Sequence, residues 1–315
     1  MNYPWFKPLF NQIKSMQQTN RLPHALLFEA NNDSGIDEFI LFLAQALMCE
    51  KNTLIPCNNC SQCKLYNSDQ IHPDCFEISK ENEVIKIDEI RQLNQNLRLT
   101  SFNSKAKIAL IYQADRMNVA SNNALLKLLE EPPEHTYFFL TVSQRERLLP
   151  TIQSRCEVFH CDISFENVKP WLIEKANENN INDYSDEKLL SIYKLSQNRP
   201  LLAKDILINQ EALNLRKTLF NLMLNYQFEQ IHLLDEKQID WIIFWLYTIV
   251  VDIMKLKLDA EMMITNSDCL NEIKQMANQF SYDDILNRYQ KLNEFKNAQK
   301  QGLHLNKMLW LENWF

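Results

Sequence analysis

The chain has 315 residues, 46% of them hydrophobic, enough to form two or three domains and bury a core without help from disulfides. Its formal net charge of −7 argues against an autonomous nucleic-acid binder, because such proteins draw most of their affinity from clustered Lys and Arg that displace counterions. Only two glycines occur, Gly35 and Gly302, and this weighs against a working phosphate loop, which needs glycines where the backbone crowds against phosphates.

The opening residues Met1-Asn2-Tyr3-Pro4-Trp5 show no charged segment followed by an apolar stretch, so no signal or transit peptide is indicated and a cytoplasmic location is expected. His24 to Phe28 predicts a strand, Asn31 to Gly35 a polar turn, and Asp37 through Met48 a helix. After a cysteine-rich insertion, Cys75 to Ile78 predicts a strand, Asp88 to Leu99 an amphipathic helix and Lys107 to Tyr112 a buried strand. Asn122 to Glu131 predicts a helix stopped by Pro132-Pro133, and Tyr137 to Val142 a further strand. A helix is expected to begin near Glu146, ahead of a strand at Glu157 to His160. Strands alternating with helices imply a parallel sheet covered on both faces, with right-handed crossovers. Beyond Cys161 the strand pattern disappears, and the remainder reads as helices separated by turns rich in Asn and Asp. The most apolar run, Trp241 to Val251, is bounded by Asp240 and Asp252 and falls short of the roughly 20 residues needed to cross a bilayer. It predicts a buried helix, and no membrane association is expected.

Eight cysteines in a chain without an export signal point to thiols or metal ligands rather than disulfides. Cys49, Cys57, Cys60 and Cys63 form C-x7-C-x2-C-x2-C, whose two C-x2-C steps bring thiolates within chelating reach of one ion. Four sulfurs meet the tetrahedral preference of zinc and leave no open coordination position, so a structural rather than catalytic ion is expected. Cys49 closes an apolar helix and could instead be a buried thiol, with His72 or Cys75 as fourth ligand. A zinc-dependent nucleic-acid-binding module is a further reading, weakened because Lys51 and Lys64 are the only cations near the cysteines.

Three segments together resemble the clamp-loader family of AAA+ proteins. The run Asn123-Ala124-Leu125-Leu126-Lys127-Leu128-Leu129-Glu130-Glu131-Pro132-Pro133 is similar almost letter for letter to the family's signature helix and its stop. Ser154-Arg155-Cys156 matches its SRC motif, and the cysteine cluster is similar to its zinc modules. Tyr3-Pro4-Trp5 and His72-Pro73-Asp74 resemble a non-hydrolysing branch of that family. The resemblance covers residues 1 to about 205, and the rest matches only in being helical.

A functional P-loop reads G-x-x-x-x-G-K-[ST], its amides and Lys neutralising phosphate and its hydroxyl holding magnesium. The corresponding stretch runs Ala30-Asn31-Asn32-Asp33-Ser34-Gly35-Ile36-Asp37: Ala30 replaces the first Gly, Ile36 the Lys and Asp37 the hydroxyl residue. Only Gly35 survives, and Asp33 and Asp37 place negative charge where a triphosphate would lie. The acidic pair that ends the next catalytic strand in active relatives is replaced by Tyr112-Gln113. Leu202 stands where an ATP-reading Arg is expected, although Arg199 is close by. These losses favour a subunit that neither binds nor hydrolyses ATP over the alternative of an active ATPase motor.

The resemblance then implies that Arg155 acts in trans, as an arginine finger on ATP held by a neighbouring motor subunit, with Ser154 fixing the turn and Cys156 a small buried residue. The competing reading is a surface ion pair with Glu157 or Glu146, a contact contributing under about 1 kcal/mol. The expected architecture is an AAA+ α/β domain with a RecA-like parallel sheet over residues 1–162, carrying the zinc module at 49–63. A helical lid domain over 163–207 and an all-helical oligomerisation collar over 208–315 follow. Implied partners are the motor (gamma/tau) subunits, the clamp-opening delta subunit, and, through the assembly, the sliding clamp and primed DNA. In the collar, Trp310, Leu311 and Trp314 are candidate apolar anchors, while Arg288, Lys291, Lys296, Lys300 and Lys307 read as a solvated helix face.

Overall fold

A computed structural model describes residues 3–51, 54–67, 72–78, 84–100, 106–161, 163–182, 184–227, 234–300 and 306–314. The chain forms two compact units, residues 1–171 and 172–315. The first holds five strands, β1 (Ala25–Glu29), β2 (Cys75–Ile78), β3 (Lys107–Ile111), β4 (Thr136–Val142) and β5 (Glu157–His160). They form one sheet in the order β2-β3-β4-β1-β5, and every pairing is parallel.

The central strands are buried on both faces. Ala25, Leu27, Ala109, Ile111, Phe138 and Leu140 share one core cluster with α4 (Ile87–Arg98) and α5 (Val119–Glu130), through Ile90, Leu93, Leu97, Leu125, Leu128 and Leu129. The alternate residues face α2 (Ile36–Met48), where the Phe28 ring meets Phe39 edge-on at 6.2 Å. Behind α2 lies α1 (Lys7–Gln18), whose Phe10 meets Phe42 at 5.9 Å. This is the period-two alternation of a sheet sandwiched between helix layers. Lys107 is buried at the start of β3, and its Nζ donates to the carbonyls of Leu97 and Leu99 at the end of α4, groups that the last turn of a helix cannot pair itself.

Most expected elements lie within a residue of their positions. The α5 helix begins at Val119 rather than Asn122, because the Asn118 side chain accepts a hydrogen bond from the Ser121 N–H at 2.9 Å and caps it. The helix expected near Glu146 is instead a 3-10 turn at Arg145–Arg147, then one short turn, α6 (Pro150–Gln153), opened by its proline. A short α3 (Ser61–Asn67) lies in the cysteine-rich insertion. After β5 comes α7 (Phe165–Glu178), which reaches into the second unit.

The second unit is all helical among its described residues: α8 (Asp186–Leu195), α9 (Pro200–Ile208), α10 (Gln210–Leu224), α11 (Ile239–Lys257), α12 (Leu270–Gln279), α13 (Tyr282–Lys300) and α14 (Lys307–Trp314). The apolar run expected to be buried forms the middle of α11, with Ile242, Trp245, Leu246, Ile249 and Val250 all inaccessible. No helix among the described residues is long and apolar enough to cross a membrane. Fully buried Asp252 accepts from the backbone amides of Thr265 and Asn266, the Asn266 side chain and Lys255 Nζ. Arg216 extends this network with a bond to Asn266 and a two-bond contact to Asp268.

Candidate functional site

In a parallel sheet, ligands are bound at the carboxyl ends of the strands, and that edge carries the loop from Ala30 to Gly35. Gly35 has φ +82°, a left-handed conformation that favours glycine, and leads into α2. The amino-terminal aromatic residues pack against the end of this loop. The Tyr3 ring lies against Gly35 so closely that a Cβ there would stand 2.5 Å from Tyr3 Cε2, and Trp5 Nε1 donates to the Ser34 carbonyl at 2.9 Å. Tyr3 stacks on Trp5 at 5.1 Å, and Trp171 of α7 closes edge-on over both rings at 6.1 and 5.2 Å.

The first turn of α2 carries Asp37 and Glu38, whose charges offset the positive end of the helix dipole, roughly half an elementary charge. Thr141 of β4 donates from Oγ1 to Asp37 Oδ1 at 3.3 Å and accepts from the Gln113 N–H at 2.9 Å. The two segments singled out in the sequence, around Asp37 and at Tyr112-Gln113, thus meet at one side chain that carried no sequence signal. Tyr112 is buried, its hydroxyl donates to Glu77 at 3.2 Å, and burial first, then the Glu77 charge, push its phenol above the usual range. A buried phenol and a Gln whose N–H is bonded to the Thr141 hydroxyl thus follow the end of β3. At Asn198-Arg199-Pro200, Arg199 Nε donates to the Ser196 carbonyl at 3.0 Å and its guanidinium lies over the Phe244 ring.

The sulfurs of Cys49, Cys57, Cys60 and Cys63 all lie within 4.8 Å of one another. A tetrahedral zinc with bonds near 2.3 Å separates its sulfurs by about 3.8 Å, so the donor set fits such an ion with little adjustment. The N–H groups of Cys60 and Cys63 donate to Cys57 Sγ and Cys60 Sγ, both at 3.4 Å. Backbone N–H groups of Asn59 and Cys60 hold the Cys57 thiol down at about 6, whereas burial, then the Cys60 thiol, pushes Cys63 up to about 12. His72 and Cys75 are not members of this group. His72 has both ring nitrogens in use: Nε2 faces Gln62 Oε1 at 2.8 Å and Nδ1 accepts from the Asp74 N–H at 3.1 Å, with the Tyr66 ring stacked on it.

Arg155 lies at the other end of the sheet. Leu26 pairs with Glu157 and Glu29 with His160, so Arg155 is level with the residue before β1. About six extended residues, some 20 Å, separate that level from Ala30. Its Nη1 donates to the Thr151 carbonyl at 2.8 Å and its Nη2 to Glu130 Oε1 at 2.6 Å. The ion-pair partner is therefore Glu130, at the end of the signature helix, and neither Glu146 nor Glu157. Ser154 Oγ donates to the Thr151 carbonyl at 3.0 Å, and Cys156 is half-buried rather than buried, packed against the core beneath α5 and α6.

The late basic residues are bound within their own unit. Arg288 lies over the Phe280 and Trp314 rings, Lys296 over Tyr247, Lys291 donates to the Asn313 carbonyl and Lys307 pairs with Asp240. The Lys300 side chain is outside the described residues. Leu311 and Trp314 are buried, and Trp310 packs on Phe295 at 4.1 Å.

The family described as DNA polymerase III, delta subunit matches residues 6–164, and the one described as DNA polymerase III, delta subunit, C terminal matches 208–315. DNA polymerase III subunit delta' of Haemophilus influenzae is 30% identical, over 88% of this chain and 84% of its own. The Escherichia coli subunit delta' is 29% identical over 89% and 84%, and that of Bacillus subtilis 28% over 97% and 94%. With the parallel sheet, the cysteine group and the helical second unit in place, these matches define a subunit of DNA polymerase III. The chain belongs to the DNA polymerase III subunit delta' family.

Proposed function

We propose that this chain serves its clamp loader without binding or hydrolysing ATP, and supplies Arg155 to ATP held by a neighbouring subunit. The observation that carries the first half is the loop at residues 30–35, where the Tyr3 ring packs directly on Gly35 and Trp5 ties the Ser34 carbonyl, beside a helix start that carries Asp37 and no Lys. The second half is supported by the sheet geometry: Arg155 stands at the amino edge of β5, too far from its own loop to act on it. An arginine presented there can stabilise charge on a transferring phosphoryl group only if the nucleotide belongs to another subunit.

The four cysteines would hold a structural zinc. Such an ion would tie the end of α2, at Cys49, to α3, at Cys63, and supply folding free energy rather than chemistry. The lid at 163–207 and the collar at 208–315 remain the proposed division of the helical part. The motor (gamma/tau) and delta subunits are the proposed partners in a pentameric type of assembly that places the sliding clamp on primed DNA in the cytoplasm.

Titration calorimetry of the purified chain with magnesium and ATP is expected to show no binding, and a dissociation constant in the micromolar range would overturn the inactive-site reading. Reconstituted with motor and delta subunits, the chain is expected to co-elute in one complex and to be required for clamp loading on primed DNA. An Arg155→Ala complex should assemble but load clamps poorly. Loading at the wild-type rate would remove the trans role.

A further inference from the structure

Glu130 ends α5, and its carboxylate holds Arg155 Nη2 at 2.6 Å while the Thr151 carbonyl of α6 holds Nη1 at 2.8 Å. Two acceptors on two separate elements fix the plane of the guanidinium as well as its position. A guanidinium carries five donors. These bonds use two, with the Ser154 hydroxyl a weak third at 3.5 Å, so donors remain for an incoming anion.

The pair is partly solvated, with side-chain exposures of 34% for Arg155 and 43% for Glu130. An ion pair this exposed contributes little to the stability of a fold. Its effect on an arginine that must meet a phosphate is larger, because a long side chain that is already oriented loses less rotamer freedom on contact. Glu130 is also well placed to remain rigid: it follows buried Leu128 and Leu129, and the Leu129 carbonyl accepts from His24 Nε2 at 3.1 Å, next to the start of β1.

We infer that Glu130 is a positioning residue for Arg155, pre-orienting the guanidinium for nucleotide held by the neighbouring subunit. The inference rests on the trans-acting role given to Arg155 above. Glu131, the next residue, ends outside the helix as its C-cap and has no such part.

The test uses the whole clamp loader with primed DNA, comparing wild type with Glu130→Ala, Glu130→Gln, Arg155→Ala and the double Glu130→Ala/Arg155→Ala chain. Glu130→Ala is expected to lower the Arg155-dependent part of kcat about tenfold, leaving KM for ATP and the melting temperature of the chain unchanged. Glu130→Gln, whose amide oxygen still accepts, should recover most of that loss, and the double variant should be no worse than Arg155→Ala alone. If Glu130→Ala runs at or above the wild-type kcat while Arg155→Ala is impaired, the positioning role is overturned and the finger stands. Losses that add in the double variant would likewise overturn it, because Glu130 would then act other than through Arg155. A wild-type kcat for Arg155→Ala would remove the finger and Glu130's role together.

Discussion

The Tyr3 ring rests on the Gly35 backbone with no room between them for even a methyl group. Gly35→Ala therefore combines a left-handed φ of +82° with a side-chain collision. It is expected to cost about 1–3 kcal/mol, read as a lower melting temperature with no change in quaternary behaviour. An unchanged melting temperature would show that Tyr3 can swing aside freely.

That contact also predicts that adding phosphate-loop residues at positions 36 and 37 will not by itself create a nucleotide site. The Ile36→Lys/Asp37→Thr variant supplies the cationic and hydroxyl positions, yet Tyr3 still packs on Gly35 and Trp5 still holds the Ser34 carbonyl. Calorimetry should detect no ATP binding by this variant alone. Binding should appear, if at all, only when Tyr3→Ala and Trp5→Ala are added, and tight binding by the first variant would show that charge rather than space had closed the site.

In the cysteine group, elemental analysis of chelator-washed protein is expected to find about one zinc per chain. Cys60→Ser should lower that content. His72→Ala should leave it at one, because both imidazole nitrogens are already bonded, to Gln62 and Asp74. It should still cost about 1–3 kcal/mol of stability, since Gln62 is left buried without its partner. Loss of zinc in His72→Ala with full retention in Cys49→Ala would reassign the fourth ligand.

Asp252 is inaccessible and gathers four donors from Lys255, Thr265 and Asn266. Asp252→Ala strands those donors and is expected to destabilise the helical unit by about 3–5 kcal/mol, seen as an earlier unfolding transition. The Cys49–Cys63 region lies in the other unit and should keep its metal content.

Much of the fold was legible because its signals are local. The strand Cys75 to Ile78 agrees residue for residue with β2, and the cysteine spacing anticipated the four converging sulfurs. Asn118 carries a local signal as well, an N-cap residue three positions ahead of Ser121, whose N–H it accepts, but the apolar pattern starts later in the helix and marks a later beginning. Other features had no local signature. Tyr3 and Gly35 are 32 positions apart and Arg155 and Glu130 are 25 apart, and neither spacing belongs to a helix or strand period. The ion-pair partners expected for Arg155, Glu146 and Glu157, are near it in sequence, whereas the parallel crossover from α5 through β4 brings Glu130 to it instead. Thr141 read only as one more residue of a buried strand, yet its hydroxyl joins Asp37 to Gln113.

The two strands at the margins of the sheet, β2 and β5, are each only four residues long, and β5 turns exposed Glu157 and His160 outward. Short, charged margins offer poor templates for strand addition from another copy. Edge-to-edge aggregation of this chain is thereby disfavoured by the outline of its own sheet.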